Sequence, residues 1–194
     1  MKREKTIDIF GATNSLKVLS YLSENPGKEF LSSDIRKATS ISRAGVYIAL
    51  GELRRQNLVL KTKKGKLLFH SIIYDDSAIR QFKVLKNVLA LRPLVSKLKP
   101  TSREIILYGS YCRGENDPTS DIDLFILSKD PQATKDAISS IKTKQKIQAV
   151  IKTSSELADF KESERVFMQE VDRGFILWKE KEDTGIFYRR HPGG

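Results

Sequence analysis

Cysteine occurs once in the 194 residues, at Cys112, and histidine twice, at His70 and His191. A single thiol excludes both a disulfide framework and a thiolate zinc cluster, and two imidazoles leave no histidine-rich metal site. Long apolar runs are missing, so no segment reads as a membrane-spanning helix, and the first thirty residues lack the apolar stretch of a secretory signal. A soluble, cytoplasmic protein with no membrane partner is expected. Hydrophobic residues make up 39% of the chain. That suffices for compact cores in one ordinary domain or two small ones, and it excludes disorder of the whole chain.

Acidic charge is also scarce: 35 Lys and Arg stand against 24 Asp and Glu, a formal charge of +11. The excess is uneven. Residues 1–74 carry 14 basic and 6 acidic side chains, residues 75–100 carry 6 and 2, and residues 101–194 carry 15 and 16. A basic half joined to a near-neutral half is the asymmetry of a nucleic-acid-binding module attached to something else.

The basic half has helical periodicity first. Leu16, Leu19 and Leu22 in Asn14–Ser23 share one helix face, with Asn14 as N-cap and Asn25-Pro26-Gly27 as the stop. Ser32 or Ser33 can cap a second short helix, and a third starts at Ser40 to Ser42 and runs to about Asn57, burying Val46, Leu50 and Leu53. The period then changes to two β-rich runs, from Leu58 to Thr62 and from Leu67 to Ile72, around a Gly65 turn. Three helices followed by a hairpin with a lysine-rich tip resemble the winged helix-turn-helix family over about residues 12–74. The resemblance implies a double-stranded DNA partner, with the third helix in the major groove. Ser42, Arg43 and Tyr47 near its start, Arg54 and Arg55 at its end, and Lys63, Lys64 and Lys66 at the hairpin tip are the candidate DNA contacts. A winged helix that binds protein is the competing reading.

Residues 75–100 read as a helix with Ile79, Phe82, Leu85, Val88 and Leu89 on its apolar face, capped by Asp75, Asp76 or Ser77 and kinked or restarted at Pro93. It is either a linker or homodimer helix between modules, or a helix packed on its own domain.

In the near-neutral half, a strand-like run Ile105-Ile106-Leu107-Tyr108 ends in Gly109-Ser110, and after ten residues Asp121-Ile122-Asp123 opens a second strand run. Alternate strand residues share a face, so Asp121 and Asp123 can serve one site while Ile122 and Leu124 face the core. Two such carboxylates with water and substrate phosphate suit Mg²⁺. Gly109 leaves room for a phosphate, Ser110 offers a hydroxyl, the amides that follow favour an anion, and Arg113 could pair with a phosphate oxygen. Together with Arg113-Gly114 and Ser120-Asp121-Ile122-Asp123-Leu124, these elements resemble the nucleotidyltransferase superfamily that includes DNA polymerase beta, over about residues 101–178. The resemblance implies a nucleotide site at Gly109, Ser110, Arg113, Gly114 and Ser120. It also implies catalytic, metal-holding Asp121 and Asp123, with Mg²⁺ or Mn²⁺ and an NTP. Cys112 in the same loop reads as a packing residue.

The superfamily usually adds a third carboxylate from a later strand. The strand candidate here is Lys146–Ile151, where Gln148 stands at the expected acidic position; an amide brings no negative charge and cannot act as a base. Glu156 and Asp159 are downstream substitutes, or simply the first turn of a helix near Ser154-Ser155. Helices are expected over 132–142 and 155–172 and a last strand over Phe175–Trp178. The expected fold is therefore α+β in two domains: a winged helix over 1–74, a helical linker over 75–100, a small α/β nucleotidyltransferase-like domain with a mixed sheet over 101–180, and a flexible tail over 181–194. Two functions follow. One is an enzyme moving NMP from an NTP to a hydroxyl, with a protein acceptor such as a partner toxin among those implied by minimal superfamily members. The other is a transcriptional regulator or antitoxin-like protein that binds nucleotide or protein without turnover.

Overall fold

The computed structural model describes residues 9–181. Of the tail expected over 181–194, residues 182–194 lie outside them. After a short turn of 3₁₀ helix at Ile9–Gly11, α1 covers Asn14–Ser23, β1 Phe30–Leu31, α2 Ser32–Thr39 and α3 Arg43–Arg55. The hairpin strands β2 (Val59–Lys64) and β3 (Leu67–Ile72) follow. Two caps differ from the sequence reading. Thr13, not Asn14, caps α1, its hydroxyl accepting the Leu16 amide at 3.2 Å. Neither Ser32 nor Ser33 caps α2; its start is fixed by the Asp34 carboxylate, which accepts the Leu31 amide at 3.3 Å. Ser42, within the expected start at Ser40 to Ser42, caps α3, its hydroxyl accepting the Gly45 amide at 3.1 Å.

The hairpin pairs Val59 with Ile72 through to Lys64 with Leu67, closing over Gly65 at φ +60°, where a residue without Cβ is least strained. β1 adds a third strand, pairing Phe30 with His70 and Leu31 with Phe69. Val18, Leu22, Ile35, Val46, Ala49, Leu53, Val59 and Ile72 close one apolar core.

The helix α4 covers Ser77–Leu98. The Asp76 carboxylate accepts the Ala78 and Ile79 amides at 2.8 and 3.1 Å. It corrects two expectations. The helix passes unbroken through Pro93 rather than restarting there, because burial of Leu91, Leu94 and Val95 on either side offsets the lost backbone bond, a cost of about 3 kcal/mol. Its buried face is also different: Leu85 is 49% exposed, while Lys83, Val84, Asn87, Leu91, Leu94, Val95 and Leu98 are buried. The reason is that α4 serves two cores in turn. Ile79 closes the first core, and Leu91, Leu94, Val95 and Leu98 close a second one with the sheet described next.

Beyond a 3₁₀ turn at Lys99–Thr101, the chain forms β4 (Ser102–Tyr108), α5 (Gly109–Arg113), β5 (Ile122–Ser128), α6 (Pro131–Ser139) and β6 (Ile147–Lys152). The helices α7 (Ser154–Ser163) and α8 (Arg165–Asp172) and the strand β7 (Phe175–Lys179) complete the described residues. The sheet order is β6-β5-β4-β7, with β5 and β6 parallel and the other pairs antiparallel, so the expected mixed sheet is present. The single helix expected over 155–172 is two, broken at Glu164 (φ −116°, ψ 46°), and the break lets Met168 and Val171 turn onto Phe125.

Strand alternation assigns the two faces. Ile105, Leu107, Ile122, Leu124 and Ile126 pack towards α4, while Ile106, Tyr108, Phe125 and Val150 pack with Met168 and Val171 of α8. Replacing Leu124→Ala in the central strand should lower stability by roughly 2 to 5 kcal/mol. Leu85→Ala on the solvent face of α4 should change it by less than about 0.5 kcal/mol. Urea unfolding of the two variants measures both, and a large loss for Leu85→Ala would contradict the assigned face.

Candidate active site

The antiparallel register of β4 and β5 sets Tyr108 opposite Asp123, and the parallel register of β5 and β6 sets Gln148 on the other side of Asp123. Asp123 is in phase with Phe125 and Gln148 with Val150, so the site opens on the α8 side of the sheet. Gly109 follows Tyr108 with φ +69°, and a methyl group there would overlap the Asp123 carboxylate. Both its conformation and this close approach require glycine. Burial pushes the Asp123 carboxyl above the usual carboxylate range, the neighbouring Asp121 charge pushes the same way, and Arg113 opposes them. The two aspartates lie close enough for the charge of one to act on the other.

Gln148 donates its amide N–H to Asp121 Oδ2. The register thus delivers Gln148 to the position from which the sequence reading expected a third acid, and the amide is bonded to one of the two acids. Glu156 does not replace it: its carboxylate accepts the Thr153 amide and hydroxyl, each at 2.8 Å, as an N-terminal cap of α7, and these bonds lower its pKa. Asp159 lies exposed on α7. Among the described residues no cluster of three or more His, Cys, Asp or Glu is placed to hold a metal ion. Two carboxylates whose mutual repulsion raises the pKa of one do fit a single divalent cation that keeps water and phosphate as its other ligands.

The remaining residues assigned to the triphosphate have partners of their own. Arg113 donates to Glu115 at 2.8 Å and ion-pairs with Glu170 of α8, contacts that raise its already high pKa, the Glu115 hydrogen bond most. Ser120 donates to Asp117 Oδ1 at 3.1 Å and accepts the Asp117 amide at 2.9 Å, closing a turn that braces the acidic strand. Gly114 ends α5 at φ +68°, and a Cβ there would overlap the Arg80 carbonyl of α4. The Ser110 carbonyl accepts the Glu115 amide at 2.9 Å. Cys112 is buried, and burial pushes its thiol pKa up, in keeping with a packing role. Sequence reasoning missed Glu170 and Glu115, the counter-ions of Arg113. Glu170 is 57 residues from it, and no local pattern signals such a contact.

In the basic half, Ser42 is committed to capping α3. Arg43, Arg54 and Arg55 are exposed on α3, and Tyr47 is 80% exposed. Lys63 and Lys66 are exposed at the hairpin, while Lys64 ion-pairs with Glu29.

The elevated pKa of Asp123 has a stability consequence. Its folded state holds the proton more tightly than the unfolded chain, so the carboxylate costs stability as pH rises above the ordinary value of 3.8. Asp123→Asn should therefore raise the melting temperature at pH 7, and the gain should shrink as pH falls towards 3. Thermal unfolding across pH 3 to 8 measures it, and an equal or lower melting temperature at pH 7 would refute the strained pair. Gly109→Ala should lower stability and nucleotide affinity together, because the added methyl displaces Asp123.

Residues 90–185 match the family described as Nucleotidyltransferase domain. Protein adenylyltransferase MntA of Shewanella oneidensis is 30% identical over 110 residues, which is 56% of this chain and 74% of that protein. No solved structure matches the chain. With the Gly109-Ser110 turn set against the Asp121 and Asp123 pair, the chain belongs to the nucleotidyltransferase domain family.

Proposed function

We propose that the chain transfers a nucleoside monophosphate, an adenylyl group in the first instance, from an NTP to a hydroxyl of a protein acceptor and releases pyrophosphate. The observation that carries this reading is the packing of the Asp123 carboxylate, with Asp121 beside it, against a Gly109 that has no room for a Cβ. The Shewanella relative is a protein adenylyltransferase, which supports an adenylyl group and a protein acceptor. Asp121 and Asp123 would hold Mg²⁺ or Mn²⁺, and the ion would neutralise charge on the phosphates during transfer. Gly109 gives a phosphate access to the backbone, and the Ser110 hydroxyl can donate to it. Arg113 is engaged by Glu115 through Nε and by Glu170 through Nη1, so a phosphate would compete with two carboxylates for its guanidinium.

The bond from Gln148 to Asp121 favours a second reading, a regulator or antitoxin-like protein that binds nucleotide without transfer. An amide cannot take the acceptor proton. Labelled ATP, GTP, CTP and UTP with Mg²⁺ or Mn²⁺ and candidate acceptor proteins separate the readings. Transfer by the wild type that disappears in Asp121→Ala/Asp123→Ala is the expected result. Nucleotide binding with no transfer by the wild type would leave only the second.

The basic half supports a winged helix DNA-binding domain over 1–74. Tyr47, Arg54, Arg55 and Lys61 line one hollow between α3 and the hairpin, and Lys63 and Lys66 continue the positive surface to the tip. Each cation that neutralises a phosphate contributes about 0.9 to the slope of log affinity against log salt. Duplex DNA binding should therefore fall steeply with salt, and Lys63→Ala/Lys66→Ala should reduce the slope by up to about 2. A salt titration by fluorescence anisotropy measures both, and absence of binding at low salt would reject the DNA partner.

A further inference from the structure

The loop 114–120 joins the Gly109-Ser110 turn to Asp121 and Asp123, so its position sets the spacing of the two halves of the site. It lacks a packed backing. Behind it, on the α4 side, lies a cleft of about 610 Å³ bounded by Lys83, Lys86, Asn87, Asn116, Lys144 and Gln145. Pro118 of the loop also lines this cleft and is exposed.

Polar contacts from α4 and its lead-in hold the loop instead. The Tyr74 hydroxyl donates to the Glu115 carbonyl at 2.8 Å, and Arg80 ion-pairs with Glu115 at 3.8 Å. The Lys83 ammonium donates to the Asn116 carbonyl and lies 5.4 Å from the Tyr74 ring centre. The Asn87 amide donates to the Tyr111 carbonyl at 2.9 Å and to Asn116 Oδ1 at 2.8 Å. Gly114 lies against the Arg80 backbone, where any side chain would force the loop away.

Lys83 and Asn87 are unusual residues for their places. They are 4% and 9% exposed, one helical turn apart, on the core-facing side of α4. A buried ammonium with no carboxylate in contact is costly, and leucine or methionine at these positions would pack at no such cost. Among the described residues, every hydrogen bond that the two side chains make runs to the segment 111–116. Both residues, with Tyr74 and Arg80, precede residue 90, where the match to the family begins.

We infer that Lys83, Asn87 and Tyr74 are positioning residues for the nucleotide loop, supplied from outside the family domain by the helix that also closes the N-terminal core. The inference rests on the nucleotide reading of Gly109, Ser110, Asp121 and Asp123 given above. It makes the N-terminal half a structural component of the NTP site, because Ile79 and Phe82 pack α4 into the first core while Lys83 and Asn87 hold the loop.

The test uses the full chain with Lys83→Met, Asn87→Leu and Tyr74→Phe, the last removing only one hydroxyl so that a folded variant is always at hand. Hydrogen exchange of residues 111–121 should quicken about tenfold in each, the cost of one net buried hydrogen bond, while Ile105–Leu107 and Leu124–Ile126 keep wild-type protection. The KM for Mg²⁺-ATP, or its Kd where no turnover is seen, should rise about tenfold, with turnover at saturating ATP within about twofold of wild type. Unchanged exchange across 111–121 in the folded variants overturns the inference. Faster exchange with unchanged ATP affinity overturns it as well. A wild-type chain that binds no NTP overturns the nucleotide reading and the positioning role with it, while the exchange data still report whether α4 holds the loop.

Discussion

The site depends on how closely the β4–β5 register brings Gly109 to Asp123. Tyr108 and Asp123 are cross-strand partners, and the next residue turns at positive φ with no Cβ, so the carboxylate packs against backbone instead of solvent. That contact joins the phosphate turn to the acidic pair, but it also desolvates Asp123 beside Asp121. The fold thus tolerates a local repulsion that a hydrophobic pair would not create. Gln148 meets the same need in a weaker way: its amide donates to Asp121 and supplies a partial positive charge where a third acid would have added a negative one. The amide therefore leaves the pair with a lower charge density than a third carboxylate would give it.

The register would place these groups to little purpose if the intervening loop were free, and here α4 matters. One helix buries Ile79 in the first core, Leu91, Leu94 and Leu98 in the second, and between them presents Lys83 and Asn87 to the loop. The two halves of the chain are consequently not beads on a string. Movement of α4 relative to the sheet would move the loop, because Gly114 allows no clearance over the Arg80 backbone.

Much of this was legible in the sequence where a short period or a fixed spacing carried the signal. The three N-terminal helices, the hairpin around Gly65 and the strands flanking Gly109-Ser110 and Asp121-Ile122-Asp123 follow from local pattern, whereas the acid expected at Gln148 was implied only by the family resemblance. The strand Phe30–Leu31 was not legible, since two residues have no period. The α4 face was misjudged because one apolar stripe was sought along a helix that serves two cores and a polar clasp; the stripe through Leu85 was real in sequence and solvent-facing in space. The partners of Arg113 and Lys83 were invisible for a simpler reason. Glu170 and Asn116 are 57 and 33 residues away, and charge pairing at that range leaves no mark on neighbouring residues.

The same contacts change what the positive charge means. Of the six basic residues in 75–100, Arg80 is paired with Asp75 and Glu115, Lys83 is buried against Asn116, and Lys86 is paired with Glu24. Lys64 is likewise tied to Glu29. Arg80, Lys86 and Lys64 hold the protein together and add little to an external field, since an opposite charge within contact distance cancels them beyond a Debye length of about 8 Å. Arg92 and Lys97 of α4 remain exposed, and on α3 and the hairpin Arg43, Arg54, Arg55, Lys61, Lys63 and Lys66 stand exposed around Tyr47. A polyanion would meet a local stripe of charge there instead of a uniformly basic half. The chain thus carries an exposed positive stripe on α3 and the hairpin and an acidic pair beside β5, joined through a helix in which Arg80, Lys83 and Lys86 are taken up by internal contacts.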